Sequence, residues 1–352
     1  MSGISATIGP RPNAPTDGIR VLIVDDSVVA RAVIGRMIEG MARFHVAASV
    51  SDVRGALAFL AAESADVILL DLEMPGISGL TALPDLVLAG RGAKILVVSS
   101  AADDGAAAAV QALALGAADT LVKPGVGNFG GRFAAVLEDR LNRLFDADGA
   151  PVPQSTRAEP APGAFDIVAV GASTGGIHAL SQMLRAIPSD FRPPILVTQH
   201  LPASFMSYFA AQLAVLAGRP CEVATDCMAV RPGRMIVAPG DAHIRCVRTS
   251  SGTAIRLTDE PAGSGCMPSV DPMLDSVASL FGARGLGIIL SGMGRDGAIG
   301  AQRLLDAGGS VIVQDKASSV VWGMPGAIAG NASAVLPPAD IGRIIATGRR
   351  PG

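Results

Sequence analysis

The chain has 352 residues, 49% of them hydrophobic and only 17% charged, with a formal net charge of −3. Its length suggests two domains, and its apolar, weakly charged composition excludes a disordered protein. No Lys/Arg-rich run appears, which argues against a protein built to grip a nucleic-acid backbone.

Residues 1–16 contain three prolines and no apolar core of signal-peptide length, so they read as a disordered extension. No stretch reaches the ~20 strongly apolar residues of a membrane span, and no membrane insertion is expected. The four cysteines, Cys221, Cys227, Cys246 and Cys266, show no C-x-x-C spacing. They are too sparse for a disulfide framework or a zinc site and suit the reduced thiols of a cytoplasmic protein.

From residue 17 to 145, short apolar runs alternate with amphipathic stretches. The runs are Ile19–Val24, His45–Val50, Val67–Leu70, Ile95–Val98 and Thr120–Val122. Five such units predict an α/β domain with a five-stranded, doubly wound parallel sheet. Residues 146–164 carry four prolines and no large apolar cluster, the composition of a linker. A second α/β domain is expected over 165–348. Strands are predicted at Phe165–Val170, Ile195–Thr198, Leu286–Leu290 and Val311–Val313, and helices at Ile177–Leu184, Ser204–Leu216, Val270–Phe281 and Ala298–Asp306. Strand-like alternation between Cys221 and Thr258 suggests an antiparallel portion.

Chemistry in such folds collects at the carboxyl ends of strands. In the first domain those ends bear Asp25-Asp26, Asp71, Ser99-Ser100 and Lys123-Pro124. Three crowded carboxylates call for a neutralising cation, and Mg²⁺ is the natural hard partner of oxygen donors. Ser99 and Lys123 are placed to meet a phosphoryl group on Asp71.

In the second domain, Gly171-Ala-Ser-Thr-Gly-Gly176 follows a predicted strand and matches G-x-S-x-G, a turn that exposes a serine hydroxyl. The same turn suits a phosphate cradle, so a phosphate- or nucleotide-binding module is the alternative to a hydrolase. Of four histidines, His200 ends the neighbouring strand and is the geometric choice of base. His45 lies in the other domain, His178 falls along the helix after Ser173, and His243 sits in a Gly-Pro-rich turn. Asp296, in the Gly-rich segment Ser291–Gly297, is the favoured orienting acid, with Asp271 and Asp241 as rivals.

Val21–Arg31 (VLIVDDSVVAR), Asp71–Leu80 (DLEMPGISGL), Val97–Ser100 and Lys123-Pro124 resemble the receiver domain of a two-component response regulator. GASTGG, QHLP, IVAPGD-x-H, PSVD, SGMGRDGA and VVWGMP, in that order, resemble the catalytic domain of the chemotaxis protein-glutamate methylesterases. The resemblance implies hydrolysis of glutamate methyl esters on chemoreceptor helices, with glutamine deamidation as a related activity. It implies Ser173 as nucleophile, His200 as base and Asp296 as orienting acid, with Met293 and Thr174 at the oxyanion. For the receiver it implies Asp71 as phosphoacceptor for a histidine kinase, Asp25, Asp26 and Asp71 around Mg²⁺, and Ser99 and Lys123 responding to phosphate. No cofactor is implied for the esterase. One departure stands out: receivers usually carry an aromatic residue three positions before the lysine, and here it is Thr120.

Overall fold

The computed structural model describes residues 18–99, 103–123, 131–145 and 160–351. The expected extension 1–16, residues 146–159 of the expected linker, Ser100 and Pro124 lie outside the described residues.

The first domain runs β1 (Ile19–Val24), α1 (Val28–Glu39), β2 (Phe44–Val50), α2 (Val53–Ala62), β3 (Val67–Asp71), α3 (Gly79–Ala89), β4 (Lys94–Ser99), α4 (Asp103–Leu115), β5 (Asp119–Val122) and α5 (Gly131–Phe145). Its sheet has the order β2-β1-β3-β4-β5, parallel throughout. The central strand β3, VILLD, is buried along its whole length because helices cover both faces. Helices begin where short polar side chains take up the free backbone donors. Ser27 Oγ accepts from Ala30 N–H, and the Asp52 carboxylate accepts from Gly55 N–H.

The second domain opens with β6 (Pro160–Ala164), inside the segment whose composition reads as linker. This strand pairs antiparallel with the last strand of the chain, β16 (Arg349–Pro351), in a two-stranded sheet of its own. A strand carrying prolines is tolerated there because a two-stranded sheet consists only of edges.

The main sheet follows as β7 (Ile167–Ala172), α6 (Gly176–Arg185), β8 (Ile195–Gln199), α7 (Met206–Ala217), β9 (Cys221–Val223) and β10 (Met235–Val237). After the hairpin of β11 (His243–Thr249) and β12 (Gly252–Thr258), α8 (Val270–Phe281), β13 (Gly285–Ile289), α9 (Ala298–Asp306) and β14 (Ser310–Gln314) complete its centre. Last come α10 (Gly323–Ile328), β15 (Ala334–Leu336) and α11 (Pro338–Ala346). Seven parallel strands take the order β15-β14-β13-β7-β8-β10-β9. The antiparallel portion is therefore narrower than the sequence suggests: β11 and β12 form it, whereas β9 and β10 join the parallel sheet.

Chain direction decides where the site falls. From β7 the chain moves outward through β8 and later returns to β13 on the other side. The carboxyl end of β7 is thus a topological switch point, where ligands of open α/β sheets bind. No helix among the described residues is long and apolar enough to cross a membrane.

Candidate active site

Three adjacent strands deliver the three expected residues. Ser173 follows β7, His200 follows β8, and Asp296 lies in the turn between β13 and α9. Gly175 has φ = 75°, a left-handed conformation that glycine adopts without strain. A Cβ there would stand 2.5 Å from Val320 Cβ, so close packing also demands glycine. The Ser173 backbone is held on both sides. Its N–H donates to Ser291 O, and its carbonyl accepts from Gly176 N–H and Gln199 Nε2.

His200 Nε2 lies 2.8 Å from Asp296 Oδ2, and Asp296 is 1% exposed. With Nε2 facing the carboxylate, Nδ1 is the ring nitrogen left to serve a hydroxyl. Asp296 also accepts from Ser269 Oγ at 2.6 Å and from the Val270 N–H at 2.8 Å. Burial alone would raise this carboxyl, but hydrogen bonds from His200, Ser269 and Val270 outweigh it and hold the pKa at about 2. Burial would likewise lower the imidazole, but hydrogen bonds with Asp296 and Cys266 carry it up to about 9. Ser173 and His200 line one cleft of ≈ 390 Å³ with Thr174, Cys266 and Met293. Ser173 makes no side-chain hydrogen bond to His200 in this resting arrangement, a contact that tightens in many enzymes only with substrate bound.

The rivals for the acid are placed elsewhere. Asp241 is exposed, and Asp271 accepts from the Gly300 N–H at 2.8 Å. Among the described residues, neither the Thr174 nor the Met293 amide N–H has a hydrogen-bond partner, whereas Gly175 N–H is taken by Ala118 O.

Two contributors escaped the sequence reading. His243 Nδ1 accepts from the Ser269 N–H, and its Nε2 lies 2.9 Å from Glu260 O. The acceptor role at Nδ1 puts the proton on Nε2, so His243 is a neutral strut behind Ser269 rather than a base. The signal was present in IVAPGD-x-H and PSVD, but nothing local says that these two motifs meet.

In the receiver, Lys123 Nζ lies 2.9 Å from Asp25 Oδ2 and 2.7 Å from Asp71 Oδ2. Burial raises the Asp71 carboxyl more than this lysine lowers it. Burial would lower Lys123, yet the two carboxylates hold it above the ordinary lysine range. Donor oxygens of Asp25, Asp26 and Asp71 lie within 4.8 Å of one another, a hard all-oxygen set that fits Mg²⁺. Ser99 is buried at the end of β4, and its carbonyl accepts from the Lys123 N–H. Thr120 is only partly buried in β5, in keeping with a small residue in place of an aromatic switch.

The family described as CheB methylesterase matches residues 168–345, and the response regulator receiver domain matches residues 21–128. The chain belongs to the CheB methylesterase family. It is 40% identical to a protein-glutamate methylesterase/protein-glutamine glutaminase of Paramagnetospirillum magneticum, covering 94% of this chain and 96% of the relative. A protein of the same description from Azospirillum brasilense is 38% identical, covering 96% of this chain and 94% of the relative. The solved CheB methylesterase catalytic domain of Thermotoga maritima superposes with a TM-score of 0.51 at 33% identity, covering 53% of this chain and 99% of that one. These matches favour the hydrolase over the phosphate-binding alternative for the Gly171–Gly176 turn. The buried Asp296 carboxylate, paired with His200 beside that turn, is also a poor neighbour for a phosphate.

Proposed function

We propose that this chain hydrolyses glutamate methyl esters on the cytoplasmic helices of chemoreceptors, under control of phosphorylation at Asp71. The observation that carries the reading is the His200–Asp296 hydrogen bond in the cleft that Ser173 lines. Ser173 Oγ attacks the ester carbonyl while the neutral form of His200, which gains population as pH rises toward 9, takes its proton at Nδ1. Asp296 holds the ring and balances the imidazolium charge. The unpartnered amides of Thr174 and Met293 are the donors available to the tetrahedral oxyanion. Collapse expels methoxide, which leaves as methanol with the proton from His200. Water, deprotonated by the same imidazole, then cleaves the acyl-enzyme and restores the glutamate. With a glutamine side chain the same steps release ammonia in place of methanol.

The receiver roofs this cleft. Leu113, Ala118, Asp119, Arg140 and Arg143 line it opposite Ser173 and His200. Helix α4 packs on α6 and α7, so substrate helices and receiver compete for one face. A histidine kinase supplies the phosphoryl group, which moves from its imidazole nitrogen to an Asp71 oxygen. Asp25, Asp26 and Asp71 would hold Mg²⁺, which would supply charge neutralisation for that transfer. Lys123 and Ser99 then turn toward the new oxygens, at the ends of β4 and β5, and β5 begins at the residue after Ala118. A shift of ~1.4 kcal/mol in the closed–open balance changes activity tenfold.

The test is methanol release from methylated receptor fragments by wild type and Ser173→Ala, with and without a phosphodonor. Release by wild type that rises with phosphodonor and vanishes in Ser173→Ala is expected. Equal release by the serine variant would remove the nucleophile, and the reading with it.

A further inference from the structure

Cys266 has no part in the reaction above, yet it lies against His200 and lines the cleft. We propose that His200, Cys266 and Asp296 form a site for one thiophilic divalent cation of the zinc class, whose binding silences the esterase. The proposal rests on the triad reading for its inhibitory half and on geometry for the site itself.

One donor atom from each of the three residues lies within 4.8 Å of the others. Zinc bonds of ~2.0–2.3 Å in a tetrahedron place such donors roughly 3.4–3.6 Å apart. His200 Nε2 and Asp296 Oδ2, now 2.8 Å apart, open slightly, and the thiol closes in. Cys266 sits in the largely exposed segment 259–267 between β12 and α8, and its thiol gives up only a long 3.9 Å bond to the Ser264 carbonyl to do so. The bonds from Ser269 and Val270 stay on Asp296, where they orient the ligating carboxylate as outer-shell donors do in zinc sites. A thiolate and a carboxylate balance the two positive charges. Water from the cleft completes the tetrahedron at the fourth position.

Donor softness separates this site from the receiver's. Sulfur and imidazole favour zinc-like ions, whereas Asp25, Asp26 and Asp71 offer only oxygen. Sparse cysteines argue against zinc sites built from cysteine pairs, but here the fold gathers one cysteine with a histidine and an aspartate from distant segments. A cation on Nε2 replaces the Asp296 hydrogen bond and drains electron density from the ring, so Nδ1 no longer takes the Ser173 proton. Activity is therefore lost without any movement of the receiver.

Full-length protein is titrated with Cd²⁺ while thiolate-to-metal absorption is recorded, and with Zn²⁺ in the methanol-release assay. Wild type and Ser173→Ala should each show the band at one equivalent, and Cys266→Ala and Cys266→Ser should lack it. Zn²⁺ should inhibit wild type reversibly on chelation, and each Cys266 variant should need at least tenfold more. A band that persists in both Cys266 variants, or equal zinc sensitivity, overturns the proposal. A Cys266-dependent band in a protein without esterase activity would keep the site and remove the reaction assigned to it. Active enzyme without the band would sink the cation site alone.

Discussion

The Gly175 N–H donates to the Ala118 carbonyl across the domain boundary at 2.8 Å. This bond ties the receiver to the turn that carries Ser173. A second tie runs beside it, where Ala114 O accepts from Ser181 Oγ and lies 3.2 Å from His178 Nδ1. The receiver thus touches the nucleophile's own turn, through main-chain groups that no side-chain motif announces.

His178 should make that interface sensitive to pH. Gln182 Nε2 lies 2.7 Å from His178 Nε2, which fits an unprotonated Nε2 and an Nδ1–H donating to Ala114 O. Burial lowers the imidazole pKa, more than the Ala114 bond raises it, and Arg185 adds to the lowering. The docked state therefore binds fewer protons than the undocked one, and docking weakens as pH falls below the ordinary histidine range. Hydrogen exchange of α4 should be faster at pH 5.5 than at pH 7.5, and His178→Ala should abolish most of the difference. Unchanged exchange would remove His178 from the interface.

Asp296→Asn should lower kcat by ~10⁴-fold, because an amide can neither fix the imidazole tautomer nor balance its charge. Ser269→Ala removes one charge-assisted bond to Oδ1, of the kind worth ~1.5–3 kcal/mol. It should lower kcat with little change in KM, and Ser269→Thr should recover most of the loss. Steady-state kinetics on methylated receptor peptides distinguish these outcomes.

Asp71→Asn should abolish acid-labile phosphate incorporation while leaving basal methanol release in place. Removing Mg²⁺ with a chelator should stop incorporation into wild type, because the Asp25, Asp26 and Asp71 set then faces the incoming phosphoryl group uncompensated except by Lys123. Continued labelling in Asp71→Asn would move the phosphoacceptor elsewhere.

Gly175→Ala should destabilise the second domain by more than ~1 kcal/mol, since alanine resists the positive φ and its Cβ would crowd Val320. Alanine keeps the N–H that bonds Ala118, but the same strain shifts the turn that aims it, so the variant should also weaken receiver docking. Thermal unfolding and α4 exchange read the two effects separately.

The sequence by itself determined the two-domain α/β architecture and which side chains stand at its strand ends. Apolar runs such as Val67–Leu70 and Leu286–Leu290 are local signals of buried parallel strands, and functional groups at their ends follow from the chain's own direction. Ser173, His200, Asp296 and Asp71 are legible for that reason. Only the tertiary structure decided what lies between distant segments. It set His243 behind Ser269 and Ser269 behind Asp296, and brought Cys266 against His200. It also seated Ala118 on the Gly175 amide and paired Pro160–Ala164 with the end of the chain. These contacts join loops and main-chain atoms whose positions depend on the packing of whole sheets. No periodicity encodes them, because each of their two halves is satisfied only by a partner far away in sequence.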